Sequence, residues 1–400
     1  MDIGVPRERK TDESRVAMCP DQAAILKTKG HNVFVETCAG VKSGFSDDHY
    51  SQAGAKIVSA SDIYSTCRLI VKVKCPLESE YEFYSPEHVL FTYLHFDENI
   101  KPANIMRIVN RGLTAIAYEW VREGTHLPLL EPMSELTGAV FARKAMALLM
   151  EHKGHLGGSY IPAWQGATAM VIGAGHIGAN AINVFIQNKF KIIVVDKHPD
   201  TLAGRLSKYI PSMSIAAGNL ELIEFDENDT ARSCGRIREL LSKTDIVICA
   251  AVRRQTLPKD VCPYIITSDD LQLMSPNSVM CDATACDKDL IESCVSSESL
   301  THTYVENNVV HYNCDHIPAL VPHTSTRILT SATFPYVQML AEGAEDAFAQ
   351  SASLAGAVMC RGGVVTHEYC ARKKGLDFTP LTSTVSSVGM YPQLQGAAHA

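Results

Sequence analysis

Short apolar runs alternate with longer amphipathic stretches over most of this chain, and the alternation predicts its elements. Strands are expected at 3–5, 32–36, 69–74, 89–94 and 114–118. Helices are expected from Pro20 to a stop at Gly30, over 47–53 and over 102–111. A long helix, small and apolar on one side, is expected over 133–153. The run 168–172 then breaks into Gly173-x-Gly175-x-x-Gly178, passes through a helical stretch to about 187, and returns as a second apolar run ending at Asp196. Further strands are expected at 214–216, 245–250 and 278–282, the last two each preceded by a helix. A hairpin over 303–312 turns at Asn307-Asn308, and a second long apolar helix covers 325–350.

Strands alternating with helices predict parallel sheets. The fold class is therefore α/β, with two Rossmann-like doubly wound domains. The helix over 325–350 comes after the glycine-rich unit is complete, so it is expected to cross back and finish the first domain. The expected division is 1–132 with 320–385 as a discontinuous substrate or catalytic domain, 133–319 as the cofactor domain, and 386–400 as a flexible tail.

The glycine run points to a dinucleotide. The first glycine makes the turn, the second lets a pyrophosphate approach backbone, and the third lets helix pack closely on strand. The anion then rests on the helix N-terminus, where backbone N–H groups and the macrodipole favour it. Asp196 stands where an acid accepts hydrogen bonds from the adenosine ribose, which argues for NAD over NADP, although Lys197 beside it weakens the preference.

Composition narrows the partners. The chain has 400 residues, 46% hydrophobic and 20% charged, enough for two cores. Its net charge of −8, without a basic block, argues against nucleic acid or an anionic membrane and leaves small molecules or protein. There is no long apolar run and no apolar leader, so a cytoplasmic protein is expected. Thirteen cysteines, none in a Cys-x-x-Cys pair, suggest neither a disulfide framework nor a metal site.

Three places after strands of the first domain could carry chemistry: Arg15 in the loop 12–16, Lys72 and Lys74 two residues apart before Pro76, and His95 at the end of 91–95. Each also has an ordinary structural explanation. Arg15 could be a surface ion pair, the lysines could snorkel from an edge strand, and His95 could simply pack. Together with a nicotinamide site, however, they are what reduction of a 2-oxo acid needs. The arginine is a fork for the carboxylate, a lysine polarises the carbonyl, and an imidazole moves protons near neutrality.

Several motifs resemble one family over almost the whole chain. They are Ile3-Gly-Val-Pro-Arg-Glu-Arg-Lys, Glu13-Ser-Arg15-Val-Ala, Lys72-Val-Lys74-x-Pro-Leu, Leu90-Phe-Thr-Tyr-Leu-His95, Ala115-Ile-Ala-Tyr-Glu119, Leu127-Pro-Leu-Leu-x-Pro-Met-Ser134-Glu135 and Val321-Pro-x-Thr-Ser-Thr326. The chain resembles the alanine dehydrogenases, grouped with the nucleotide-binding subunit of the proton-translocating transhydrogenase and, more distantly, with saccharopine-forming enzymes. The resemblance implies that Arg15 and Lys74, rather than Lys72, hold the substrate, and that His95 is the general acid/base. It implies cofactor contacts from Ser134, Asp196, Ala251, Val252, His316 and Ile317 beside the three glycines. It also implies NAD as cofactor, a small 2-oxo acid or amino acid and ammonia as substrates, and a homo-oligomer, from dimer to hexamer.

The chain departs from the family in places. Arg253-Arg254-Gln255 replaces a Pro-Gly loop, and Asp282-x-x-x-x-Asp287 is one residue longer than the family's acid pair, with Asp287 favoured for the catalytic role. Asp315-His316-Ile317-Pro318 looks more like the saccharopine-forming branch, and His323 stands where a basic side chain is usual. The alternatives are therefore an opine-type enzyme reducing the imine of a 2-oxo acid with an amino acid, and a non-catalytic nucleotide-binding module.

Overall fold

A computed structural model describes residues 1–98, 100–158, 166–210, 219–254, 256–284 and 287–381. The chain forms two compact units, one from Met1–Met133 with the described residues from Val321 to Leu381, the other from Ser134–Leu320. The expected strand at 214–216, Gln255 and the tail 386–400 lie outside the described residues.

Unit 1 opens with β1 (Asp2–Val5), α1 (Pro20–Thr28), β2 (Asn32–Glu36), α2 (Asp47–Gln52), β3 (Lys56–Val58), α3 (Ala60–Thr66), β4 (Leu69–Val71), β5 (Val89–Thr92), α4 (Pro102–Val109) and β6 (Thr114–Ala117). Serines cap α2 and α3, each accepting from the third residue's N–H. Strand β3 and helix α3 were not anticipated, because the exposed edge β3 is three residues long and lacks a continuous apolar run.

Unit 2 contains most of α5 (Glu131–Lys153), then β7 (Thr168–Ile172), α6 (His176–Gln187), β8 (Lys191–Asp196), α7 (Leu202–Ser207), β9 (Asn219–Glu224), α8 (Thr230–Leu241), β10 (Ile246–Cys249), β11 (Val279–Asp282), β12 (Tyr304–Glu306) and β13 (Val309–Tyr312). The helix expected before β11 is instead a 3₁₀ segment, Asp269–Leu273. The β12–β13 hairpin turns at Asn307 and Asn308, with φ of 49° and 62°; asparagine tolerates this left-handed backbone better than most residues.

The chain then completes unit 1 with α9 (Pro322–Glu342), α10 (Ala344–Gln350), α11 (Ala352–Gly356), β14 (Val358–Arg361), β15 (Val364–Val365) and α12 (Glu368–Lys374). The single helix expected over 325–350 is thus two, broken at Gly343, whose φ of 147° no helix accommodates.

Among the described residues, unit 1 carries an eight-stranded sheet ordered β15-β14-β6-β5-β4-β1-β2-β3 and unit 2 a seven-stranded sheet ordered β12-β13-β11-β10-β7-β8-β9. Pairings are parallel except at β14 and β15 in the first and β12 in the second. Taking six parallel strands of each in chain order, both run 3-2-1-4-5-6, the doubly wound arrangement. Central strands such as β4, β5 and β10 are buried along their whole length, as sheets covered on both faces require. No described helix is long and apolar enough to cross a membrane.

Candidate active site

In a doubly wound sheet the order reverses between the first and fourth strands, and ligands bind beyond the carboxyl ends there. In unit 1 the segments following β1 and β4 carry Arg15 and Lys74. Arg15 is only 3% exposed, which excludes a surface ion pair. Its Nε and Nη2 donate to the two oxygens of Glu13 at 2.7 and 2.6 Å, while Nη1 lies 3.7 Å from Met133 Sδ. Burial alone would raise the Glu13 pKa, but the charge and hydrogen bonds of Arg15, helped by Lys74, pull it down to about 2. Arg15 and Lys74 are thus brought close to one carboxylate.

Both lysines lie beyond the regular strand. The regular strand ends at Val71, and the Val73 N–H turns to the Glu8 carboxylate at 2.6 Å. Lys72 is wholly buried, 3.0 Å from Glu80 and 3.4 Å from Glu8, so snorkelling from an edge strand is excluded. Burial opposes its charge, yet the two carboxylates outweigh burial and hold the ammonium pKa above its ordinary value. Lys72 is thus committed to Glu8 and Glu80, while Lys74, 8% exposed, is the lysine whose charge acts on Glu13.

His95 follows β5 in an unusual backbone state, with φ of 49°. Glu119, buried at the end of β6, explains how it is held: its carboxylate accepts from the Leu94 N–H at 3.1 Å and the His95 N–H at 2.6 Å. The imidazole stacks on Tyr93 with centroids 5.5 Å apart, and its Nδ1 lies 3.2 Å from Glu98. Burial disfavours the imidazolium, but Glu98 and Glu119 more than offset it against a smaller opposing push from Lys74, so the His95 pKa is raised. Glu80 and Glu98 were not singled out from the sequence, and Glu8 and Glu119 entered only within family motifs without a role, because nothing in a run of residues tells a buried glutamate from a solvated one.

His323 bonds the Ser43 carbonyl at 2.9 Å and packs on Phe45, which makes it a tie between α9 and the segment after β2.

In unit 2 the corresponding reversal lies between β7 and β10. Gly173 has φ of 86°, and a Cβ there would sit 2.9 Å from Ala251 Cβ. A Cβ on Gly178 would fall 1.9 Å from the Gly173 carbonyl oxygen. Both positions therefore admit only glycine, leaving Gly175 to cap α6 and its N–H groups open to an anion. This cradle fits a dinucleotide pyrophosphate. Asp196 ends β8; its Oδ2 accepts from the Ala174 N–H at 2.8 Å and its Oδ1 from Arg205 at 2.8 Å. Arg205 was not foreseen, and it occupies part of the carboxylate expected to meet the ribose. Ser134 lies half-buried in the first turn of α5. Its neighbour Glu135 accepts from Tyr209 at 2.8 Å, and Tyr209 in turn meets His176 Nδ1 at 2.8 Å. The start of α5 is thereby tied to the phosphate loop. Ala251 and Val252 follow β10, with Val252 38% exposed.

Asp282 and Asp287 differ sharply. Asp287 is exposed and caps the Ser296 N–H at 2.7 Å. Asp282, at the end of β11, is 2% exposed; Oδ1 accepts from Thr284, while Oδ2 has no partner among the described residues. Burial pushes its pKa up to about 7, Thr284 opposing and the nearby Asp289 and Asp287 adding. His316 and Ile317 are buried; His316 Nδ1 lies 2.6 Å from Asp315, and its Nε2 lacks a partner among the described residues. Arg253 ties its segment together by bonding Asp289 and the carbonyls of Leu257, Cys262 and Pro263.

Comparison with known proteins agrees with this architecture. Residues 4–137 match the family model for the alanine dehydrogenase/PNT N-terminal domain, and 140–368 that for the C-terminal domain. The chain is 34% identical to alanine dehydrogenase of Bacillus subtilis (strain 168) over 386 residues, covering 95% of this chain and 96% of that protein. It is 30% identical to alanine dehydrogenase of Methanococcus maripaludis over 388 residues, covering 94% and 98%. A solved L-alanine dehydrogenase superposes with a TM-score of 0.79 at 30% identity over 93% of this chain and 99% of that one. A transhydrogenase from Sinorhizobium meliloti, at 20% identity, shares the fold with a TM-score of 0.73 over 92% of this chain and 100% of that one. Matched by both of the family's domains and by relatives along nearly its whole length, the chain belongs to the alanine dehydrogenase/PNT family.

Proposed function

We propose that this protein is an NAD-dependent alanine dehydrogenase, which interconverts pyruvate, ammonia and L-alanine. The observation that carries the reading is the buried Arg15–Glu13–Lys74 group with His95 after the neighbouring strand, in a chain whose other sheet holds a glycine cradle. A nicotinamide cofactor would supply or accept the hydride. Gly173, Gly175 and Gly178 would hold its pyrophosphate and Asp196 its ribose, with Ser134, Ala251, Val252, His316 and Ile317 as further contacts. An acid at residue 196 favours NAD, since a 2′-phosphate beside a carboxylate is repelled; Arg205 moderates that repulsion.

In this reading the Nη1 edge of Arg15 takes the substrate carboxylate, because Glu13 already occupies the other edge. Lys74 polarises the carbonyl. His95 moves protons as ammonia adds and water leaves. We assign the family's aspartate role to Asp282 rather than Asp287, since only Asp282 combines burial, an unpartnered oxygen and a pKa of about 7. Residues 1–132 with 320–385 would form the substrate domain and 133–319 the cofactor domain. Resemblance also carries the expectation of a homo-oligomer, which sedimentation of the purified protein tests.

The reading is tested by NADH oxidation with pyruvate and ammonia, against pyruvate and an amino acid. Turnover only with the amino acid would transfer the protein to the opine type, the alternative favoured by Asp315-His316-Ile317-Pro318. Higher kcat/KM with NADPH than with NADH would overturn the cofactor assignment. Replacing His95 with Ala should lower kcat about 10²–10⁴-fold while NADH binding, followed by fluorescence, stays nearly unchanged.

A further inference from the structure

The segment after His95 is fastened by parts of the chain that the proposed chemistry does not use. Asp97 is buried, with Trp120 Nε1 at 3.4 Å and Lys373 at 3.6 Å from its carboxylate. Lys374 donates to the carbonyl of Glu98 and, at 2.9 Å, to that of Ile100. His367, which caps α12, packs on Trp120 with centroids 4.3 Å apart. Helix α12, the last described helix of the chain, therefore grips the backbone on which Glu98 is mounted. The Glu98 side chain is 45% exposed, yet it lies 3.2 Å from His95 Nδ1. That distance suits an ion pair, but the contact falls short of hydrogen-bond geometry, a looseness that catalytic contacts commonly lose once substrate is bound.

We propose that Glu98 is a positioning residue for His95: its carboxylate fixes the imidazole through Nδ1 and holds the ring's proton, and α12 sets Glu98 in place through Lys374. The proposal rests on His95 being the proton carrier. A ring whose Nδ1 is engaged presents its other nitrogen, Nε2, for proton transfer, and a carboxylate at Nδ1 fixes that tautomer. The charged and titratable groups facing the ring are Glu98 on its own loop, Glu119 at the end of β6, Lys74 after β4 and Tyr93. Glu119 is committed to the backbone N–H groups of residues 94 and 95, so it holds the loop's shape. Glu98 is the carboxylate at the ring nitrogen. A nearby anion stabilises the imidazolium, so removing it lowers the pH at which His95 loses its proton.

The test is the pH profile of kcat/KM, in both directions, for the wild type and for Glu98→Gln, Glu98→Asp, Lys374→Met and His95→Gln. For alanine oxidation the limb that requires neutral His95, and for reductive amination the limb that requires the imidazolium, should both move to lower pH in Glu98→Gln. The expected movement is about one pH unit or more, the usual effect of an opposite charge within ~4–6 Å. Glu98→Asp should restore part of it, and Lys374→Met should shift the limb in the same direction by less. Melting temperatures should be nearly unchanged for both Glu98 variants, because the side chain is half exposed. A limb that vanishes in His95→Gln but stays put in Glu98→Gln overturns the proposal alone. A limb that survives in His95→Gln overturns the assignment of His95 on which it stands.

Discussion

Beyond the carboxyl ends of β1 and β4, unit 1 buries a connected set of charged side chains; beyond β7 and β10, which hold the same places in the sheet of unit 2, there is mostly bare backbone. The strand order is the same and the chemistry is opposite. In unit 2 the proposed cofactor site is made of N–H groups that any sequence has, so the residues matter by what they lack. A missing Cβ at Gly178 is the difference between a cradle and a collision at 1.9 Å. In unit 1 the site is made of side-chain charges that water would otherwise solvate, so each must bring its own counter-charge into the interior. Glu13 does this for Arg15, and Glu8 with Glu80 does it for Lys72.

That contrast can be broken from either side. The largest effect is expected from Lys72→Met, which keeps much of the side chain's bulk and leaves two buried carboxylates without their cation. Breaking a buried pair in this way costs about 3–5 kcal/mol, measured by urea unfolding. The loss should be smaller in acid, where the carboxylates are protonated. Lys72 would then be a stability residue with no need to touch substrate, and a variant with unchanged stability but lost turnover would contradict this.

The next effect in size concerns the glycine cradle. Gly178→Ala forces a methyl group toward the Gly173 carbonyl, an overpacking that typically costs about 1–3 kcal/mol. Here the sign of the outcome in binding matters more, since the loop must move where the pyrophosphate would rest. NADH affinity should fall while Arg15, Lys74 and His95 are untouched. An alanine variant that binds NADH normally would mean that the loop yields freely and that the cradle is not what selects glycine.

The third effect is a pH dependence. Asp282 has a folded-state pKa of about 7 against an ordinary value of 3.8, so the native chain holds its proton more tightly than the unfolded chain does. The group's contribution to stability is therefore fully present below pH ~3.8 and is lost as pH rises to about 7. Asp282→Asn should remove that decline and flatten the melting temperature over this window. An unchanged slope would place the titration elsewhere.

The two sites were unequally legible in the sequence. The glycine loop could be read directly, because its pattern is local to one strand, one turn and one helix, although the contact with Ala251 that also excludes a Cβ at Gly173 comes from the segment after β10. Arg15, Lys74 and His95 could be picked out only as charged residues just after strands. It took resemblance to prefer Lys74; in the fold Lys72 is walled in by Glu8 from the segment after β1 and Glu80 from the segment after β4. Helix breaks at Gly343 and the short edge β3 were missed for a related reason, since a single residue's φ or a three-residue ladder leaves little periodicity to read.

What the sequence determined by itself is the alternation of buried strands and helices, the two doubly wound units, the Asn307-Asn308 turn and the glycine turn between β7 and α6. All of these follow from residue patterns that act over one or two neighbouring elements. What only the tertiary structure decided is which ionisable groups lie in the interior and beside which partners. Glu119 reaches back to the amides of residues 94 and 95, Arg205 returns to Asp196, and Asp282 ends its strand where water does not reach. Electrostatic energy depends on distance and on solvent exclusion, and chain order specifies neither until the sheets have closed.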